Sequence, residues 1–353
     1  MASLPEPTEH WIFAHDVGFY SLTSGKILLI DVASDTRNVL GLIGAAQLAS
    51  FRRSLARGEL YVGESFFSRG NRGDLTDVLS IYEGASLRWL GEVVLPGTKR
   101  FQVVPQKAAL QLTGDARFAL VFNFTPASSV TVVNLDERRV ANEIDLPGCM
   151  LTYPFGESGF ATLCGDGSLR ALTLDVRGRV VRDQRTEPFN DIDGDPQFMK
   201  AAWVGRTAYF PTFGGSIRPL DLTGPRPEVR PSWPLESSLE SAPEGARPSG
   251  WQVISADANG LLYVLMRTRA GPGEHKSGGQ TVWVVDPVRR RVPDIIPLVS
   301  EGYSIEATRG EKPLLVVTNI GMQMDVYDPR SHTKLRTIGN WGPTTPISLY
   351  AVE

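Results

Sequence analysis

Residues 148–175 read GCMLTYPFGESGFATLCGDGSLRALTLD, and this stretch decides the fold. It carries the two cysteines of the chain, Cys149 and Cys164, each in a short run of apolar, aromatic and β-branched residues, CMLTYPF and GFATLC. The segment Gly156–Gly159 supplies a turn between those runs. A third run, Ser168–Leu174, follows the tripeptide Gly165-Asp166-Gly167, a strong hairpin signal. The stretch therefore predicts three antiparallel strands in a meander. Cysteines on its first two strands face each other as a cystine when the register pairs them. Two buried free thiols are the alternative. Confinement of both cysteines to one hairpin favours the disulfide.

The same grammar recurs along the chain. A β-branched apolar run ends in an acidic or amide residue and then turns: Ile27–Asp31, Val78–Glu83, Val130–Asn134, Leu169–Asp175, Ile217–Asp221, Val282–Asp286 and Met324–Asp328. Seven copies at spacings of roughly 40–65 residues, each third in a group of four strands, predict an all-β, seven-bladed β-propeller of four-stranded antiparallel blades. A single strand of period two cannot bury its face alone, whereas radially packed sheets can. The sixth group reads GWQVISAD, LLYVLMRT, TVWVVDP, RVPDIIPL. The seventh reads YSIEATRG, LLVVTNIG, MQMDVYDP, KLRTIGNW. The first group lacks an innermost strand, because the chain enters at His10–Asp16 as a second strand. Ile347–Val352 at the C-terminus is left to pair with it and close the ring. Residues 1–9 then form a tail and 10–353 one propeller domain. No sustained 3.6-residue period supports a two-domain α/β alternative.

Composition narrows the function. The 353 residues carry a net charge of −3, which leaves no electrostatic footprint for nucleic acid or anionic membrane. No apolar run approaches the roughly 18 residues of a membrane helix. The start, MASLPEP, has neither a basic n-region nor an apolar h-region. No nucleophile elbow, zinc-binding helix motif, paired C-x-x-C or phosphate loop occurs. The four histidines, His10, His15, His275 and His332, show no metal-ligand spacing. Asn190–Asp195 reads as an Asx turn rather than a calcium loop, since it lacks the later bidentate Glu. These residues describe a scaffold more than a catalyst.

Strand alternation sorts the connections by face. The turns from second to third strand, and from each fourth strand to the next first strand, leave the same face of the disk. Four long connections fall there: Phe66–Asp77, Arg267–Gln280, Gly97–Ala109 and Pro234–Gly250, the last with a helical turn expected at Leu235–Glu240. Loops on a rigid scaffold usually carry function. The loop face is the expected binding face, with Phe66 and Phe67 as an apolar anchor beside Arg69, Arg72 and Asp74.

Several pieces, in order and spacing, resemble the large (heavy, alpha) subunit of tryptophan tryptophylquinone-dependent amine dehydrogenases, the methylamine and aromatic amine dehydrogenases. They are Phe67-Ser-Arg-x-x-Arg-Gly-x-x-Thr-Asp77, Leu112-Thr-x-Asp115, Thr125-Pro-Ala127 and Gly148-Cys149. The others are Cys164-Gly-Asp-Gly-Ser168, Gly250-Trp251, His275-Lys276 and Glu311-Lys-Pro-Leu-Leu315. The Cys164-Gly-Asp-Gly and Asp193-Gly-Asp-Pro196 stretches look nearer the aromatic amine enzymes. The resemblance implies a seven-bladed propeller with a disulfide at Cys149 and Cys164. It implies a periplasmic alpha2beta2 heterotetramer, its export signal removed from the sequence given. The light (beta) subunit would hold the tryptophan tryptophylquinone and the catalytic base, so that this chain binds no cofactor covalently and contributes no catalytic residue. Primary amines would be oxidised to aldehyde and ammonia, with electrons passing to a blue-copper protein of the amicyanin or azurin type. Phe66, Phe67, Arg69, Arg72, Asp74, His275 and Lys276 would contact the small subunit. Where the family commonly has a channel-lining Phe, a gapless count back from Phe67 arrives at Gln47, with Leu48 and Phe51 nearby. A free-standing propeller adaptor is the alternative from a different class, and a channel-metal hydrolase or lactonase is a third.

Overall fold

The computed structural model describes residues 4–36, 38–100, 104–239, 243–339 and 344–352. Residues 1–3 of the tail, 101–103 and 240–242 within two of the long connections, and Asn340 and Trp341 at the end of the last strand reading lie outside the described residues.

The meander at 148–175 forms as its residues dictate. Cys149–Phe155, Gly159–Cys164, Leu169–Leu174 and Val180–Arg185 make an antiparallel sheet in that order. Every residue of Gly159–Cys164 is buried, whereas Val180–Arg185 at the outer edge is almost wholly exposed. Inner strands carry continuous apolar runs because neighbouring sheets cover both faces, and the polar outer strand protects the edge. Cys149 stands directly opposite Cys164 and the two form a disulfide.

Four more sheets repeat this plan. The first is Pro346–Ala351, Trp11–Asp16, Lys26–Asp31 and Val39–Gly44; the second is Ser50–Ser54, Glu59–Phe67, Leu75–Glu83 and Trp89–Val94. The third is Leu110–Leu112, Phe118–Asn123, Ser129–Asn134 and Arg139–Asp145. The fifth is Ala202–Val204, Thr207–Pro211, Ser216–Asp221 and Glu228–Val229, with Trp233–Pro234 added beside Ser216–Asp221. One apolar cluster runs through the third, fourth and fifth sheets and includes Phe118, Leu151, Phe160, Leu172 and Phe210. Each such side chain contributes about 1.5–3 kcal/mol by leaving water.

The expectation of seven four-stranded blades is corrected here. Among the described residues five antiparallel blades of this four-stranded plan stand in the propeller ring, not seven, and the residues from Arg247 to Ile338 form one eight-stranded sheet. The cause is Arg291–Ala307, a single strand of 17 residues where the sequence suggests two. Its first half pairs with Gly279–Asp286, as in Val282↔Ile296. Its second half pairs with Leu315–Asn319, as in Ile305↔Val317. The intervening Leu298-Val-Ser-Glu301 has no Gly, Pro, Asn or Asp, so no strong breaker interrupts the extended backbone. Gly302 lets the strand pass close to its neighbour, since a Cβ there would lie 2.5 Å from a methyl of Val317.

The expected closure is present. Pro346–Ala351 pairs antiparallel with Trp11–Asp16, with Phe13↔Tyr350 and Ala14↔Leu349 in register. Two loop readings also change. Glu59–Phe67 and Leu75–Glu83 pair out to Phe67↔Leu75, so the expected Phe66–Asp77 loop shrinks to the turn Ser68–Asp74. The innermost strand of the second sheet begins at Ser50, just after Gln47 and Leu48, which both adopt positive φ, 54° and 52°. The expected helical turn is a 3-10 turn at Leu235–Ser238. Among the described residues no helix is long and apolar enough to cross a membrane.

Candidate docking face and axial funnel

Contacts between loops of different sheets confirm that the connections share one face. The turn 45–49 carries Gln47 and is held from three sides. Its Ala46 N–H donates to the Glu64 carboxylate at 2.9 Å, and its Gln47 N–H donates to the Leu22 carbonyl at 2.7 Å. The Arg100 guanidinium donates to the carbonyls of Gln47 (2.9 Å) and Leu48 (3.3 Å) and to Ser65 Oγ (2.7 Å). The Arg100 N–H also donates to Asp77 at 2.8 Å, and Ser65 Oγ donates to the same carboxylate. Burial pushes the Arg100 guanidinium down to about 10, opposed by Asp77 and Glu64. Burial likewise raises Glu64. The structure thus places Gln47, half-buried, on the loop face. Its neighbour Leu48 packs with Val17, Ile347, Trp251 and Met322, while Phe51 turns into the core against Phe13 and Tyr350.

The second part of the face is an aromatic and cationic funnel at the mouth of the central channel. His275 stacks on Phe213 at 4.4 Å between ring centroids, and Phe213 meets Phe198 at 4.5 Å. Lys200 Nζ lies 4.9 Å from the Trp251 ring centroid. The Gly250 N–H donates to the His275 carbonyl at 2.9 Å, tying the two connections together. Arg267 reaches Glu301 at 3.0 Å and Glu274 at 3.6 Å, fixing the loop that presents His275 and Lys276. Burial pushes Lys200 down to about 8, helped by Lys276, and no carboxylate pairs with it among the described residues. Burial, Lys276 and Lys200 all lower His275, which keeps its imidazole neutral at neutral pH. Behind the funnel lies a cavity of about 60 Å³ bordered by Tyr153, Lys200, Trp203 and Trp251.

Of the sequence-predicted contact residues, Phe66, Arg69, Arg72, Asp74 and Lys276 are exposed, and Phe67 and His275 are partly buried. Ser68 and Asp74 close their turn with backbone and hydroxyl hydrogen bonds, and Arg69 N–H donates to the Arg72 carbonyl. Neither guanidinium is spent on a carbonyl of a neighbouring sheet among the described residues. The structure brings His275 and Lys276 together with Lys200, but it shows no contact between that group and the 68–74 turn. Sequence reasoning missed Arg100, Glu64, Phe198, Lys200 and Phe213. The one available signal was a lysine set between apolar residues, Phe198-Met-Lys-Ala-Ala-Trp203. The Asx reading of 190–195 holds, since the Asp191 carboxylate accepts from the N–H groups of Asp193 and Gly194.

A sequence profile described as methylamine dehydrogenase heavy chain matches residues 10–351. The chain belongs to the methylamine dehydrogenase heavy chain family. Relatives of that name include the Paracoccus versutus heavy chain, 27% identical over 282 residues, which are 78% of this chain and 65% of that one. The Methylophilus methylotrophus heavy chain is 25% identical over 348 residues, 97% of this chain and 84% of that one. This heavy chain family member therefore spans just under two thirds of the Paracoccus relative. Among solved structures it is similar to a Bacteroides fragilis protein described as a candidate 6-phosphogluconolactonase, with a TM-score of 0.63 and 11% identity over 98% of this chain and 99% of that one. It is also similar to the dihydro-heme d1 dehydrogenase NirN, with a TM-score of 0.55 and 13% identity over 99% of this chain and 77% of that one. At such identities these two likenesses concern the fold alone.

Proposed function

We propose that this chain is the scaffold of a periplasmic quinoprotein amine dehydrogenase and docks its light subunit on the loop face. One observation carries the reading. Four aromatic side chains are exposed among the described residues, Phe19, Tyr20, Phe66 and Trp89; Phe19 and Tyr20 sit on a connection that leaves this face, and Phe66 on the strand end that leads into the Ser68–Asp74 turn of the same face. Met199 and Ile320, also exposed, lie on connections of the same face. Apolar anchors flanked by Arg69, Arg72, Asp74 and Lys276 make the mixture of buried centre and charged rim that partners use. Isolated exposed apolar residues are ordinary, and Leu55, Val176 and Val288 are exposed elsewhere; what sets this face apart is that three of the four exposed aromatic rings gather there.

In this reading the amine chemistry and the tryptophan tryptophylquinone belong to the light subunit. The heavy chain positions that subunit, and Gln47 borders the path of the amine by shape and polarity. A neutral amide is a poor base, so Gln47 takes no part in proton transfer. Two chains of each kind would assemble, with a blue-copper protein of the amicyanin or azurin type as acceptor.

Co-expression with the light subunit tests the proposal. The expected result is a complex of both chains carrying a quinone absorption band. Charge placed in the patch by Phe66→Asp with Arg72→Glu should dissociate it while the heavy chain melts unchanged. A heavy chain that elutes alone in every preparation, with no quinone band, would favour the free-standing adaptor and overturn the proposal.

A further inference from the structure

Lys200, in the funnel of the loop face, carries a charge that the chain leaves unanswered. Its segment is fixed from behind: the Phe198 N–H donates to the Pro211 carbonyl and the Tyr153 hydroxyl to the Met199 carbonyl, both at 2.8 Å. The Lys200 ammonium makes no hydrogen bond or ion pair among the described residues. Its neighbours are rings, with the Trp251 centroid at 4.9 Å and the Phe198 centroid at 5.8 Å. The Trp251 backbone is pinned in turn, its N–H donating to the Tyr303 carbonyl at 2.5 Å. Gly250, at a φ of 141°, permits that approach, since a Cβ there would lie 2.6 Å from the same carbonyl oxygen.

Three carboxylates of the surrounding segments are held by other donors. Glu274 and Glu301 face Arg267, and Asp195 accepts from the Gly214 N–H. Lys276, exposed on the rim, adds a second positive charge, and burial and Lys276 both press Lys200 towards its neutral form. A desolvated ammonium without an anion is costly, and cation–π contacts offset only part of that cost. The occupant that relieves it is anionic. It also reaches in from a larger body, because the cavity behind the rings, about 60 Å³, is far below the roughly 300–1,000 Å³ that enclose a small molecule. The funnel is continuous with the docking patch, since Met199, beside Lys200 in the chain, is exposed.

We propose that the funnel is the socket for an acidic side chain of the light subunit, an aspartate or glutamate whose carboxylate pairs with Lys200. The inference rests on the docking of that subunit on this face. The carboxylate takes Lys200 as its direct partner and Lys276 as a rim charge, and its apolar stem meets the Trp251 and Phe213 rings. A charge-assisted pair of this kind is strong where water is excluded.

Zero-length carbodiimide coupling of the co-expressed complex, read by mass spectrometry, tests the pairing. An isopeptide between Lys200 and an Asp or Glu of the light subunit is expected. Lys200→Met, which keeps the stem and loses the charge, should raise the dissociation constant measured by dilution of the complex about thirtyfold or more. Lys200→Arg, which keeps the charge, should recover most of the affinity. The three heavy chains are first compared by melting temperature, so that a folding defect is not read as lost affinity. Unchanged affinity in a folded Lys200→Met protein overturns the socket and leaves docking intact, as does coupling of Lys200 to a second heavy chain instead. Wild-type chains that do not assemble at all overturn docking and socket together.

Discussion

The Arg100 guanidinium donates a 2.9 Å hydrogen bond to the carbonyl of Gln47, a residue 53 positions earlier and held at a φ of 54°. Two successive residues in the left-handed region are unfavourable for side chains other than glycine. The turn persists because a buried cation holds both of its carbonyls. The reading frame of the docking face at Gln47 and Leu48 is thus set from the far end of the second sheet.

Replacing Arg100 with Met removes these bonds and leaves Glu64 and Asp77 buried with less compensation. Breaking a buried charge network from one side costs about 3–5 kcal/mol. Urea unfolding of Arg100→Met should show a loss of that order. A loss below about 1 kcal/mol would mean that the turn holds itself.

His15 is fully buried, and neither ring nitrogen has a hydrogen-bond partner among the described residues. Burial pushes its imidazole down to about 4, with Asp16 opposing and Arg100 adding to the effect. The unfolded chain titrates this group near 6.5, so between about 6.5 and 4 it binds more protons than the folded protein. Stability therefore rises with pH across that window, and acidification from neutral removes about 3 kcal/mol through this one group. Urea midpoints measured from pH 4 to 7 should change less steeply in His15→Phe than in the wild type. Parallel slopes would contradict the assignment.

The Cys149–Cys164 bridge closes a loop of sequence separation 15. On the chain-entropy account it contributes about 3 kcal/mol by restricting the unfolded chain. Reduction should lower the melting temperature. Mass analysis after alkylation should add no label without reductant and two labels with it.

Gln47→Phe should change discrimination among amines by about 1–3 kcal/mol in kcat/KM without altering the quinone spectrum of the assembled enzyme. Methylamine, a longer alkylamine and an aromatic amine are the substrates to compare. Equal changes for all three would remove Gln47 from the amine path.

Local chemistry determined much of this protein. Alternation and turn residues in 148–175 specified the meander, and the register they impose placed Cys149 opposite Cys164. The missing inner strand at the N-terminus specified the closing pair with the C-terminus. These are near-neighbour or edge-matching properties, and side-chain period and turn type express them directly. The blade count was decided elsewhere. Whether Leu298–Glu301 turns or stays extended depends on the partners available on both sides of Arg291–Ala307, which come from separate sequence regions. The same holds for the functional face. Arg100 stands in a Gly-Thr-Lys-Arg run that reads as a solvated loop, and Lys200 reads as one lysine among apolar residues. Only packing shows the first to be a buried clamp on Gln47 and the second a cation over Trp251. A long polar side chain has no fixed face in the sequence, and its partner is chosen by whatever the closed ring brings within reach.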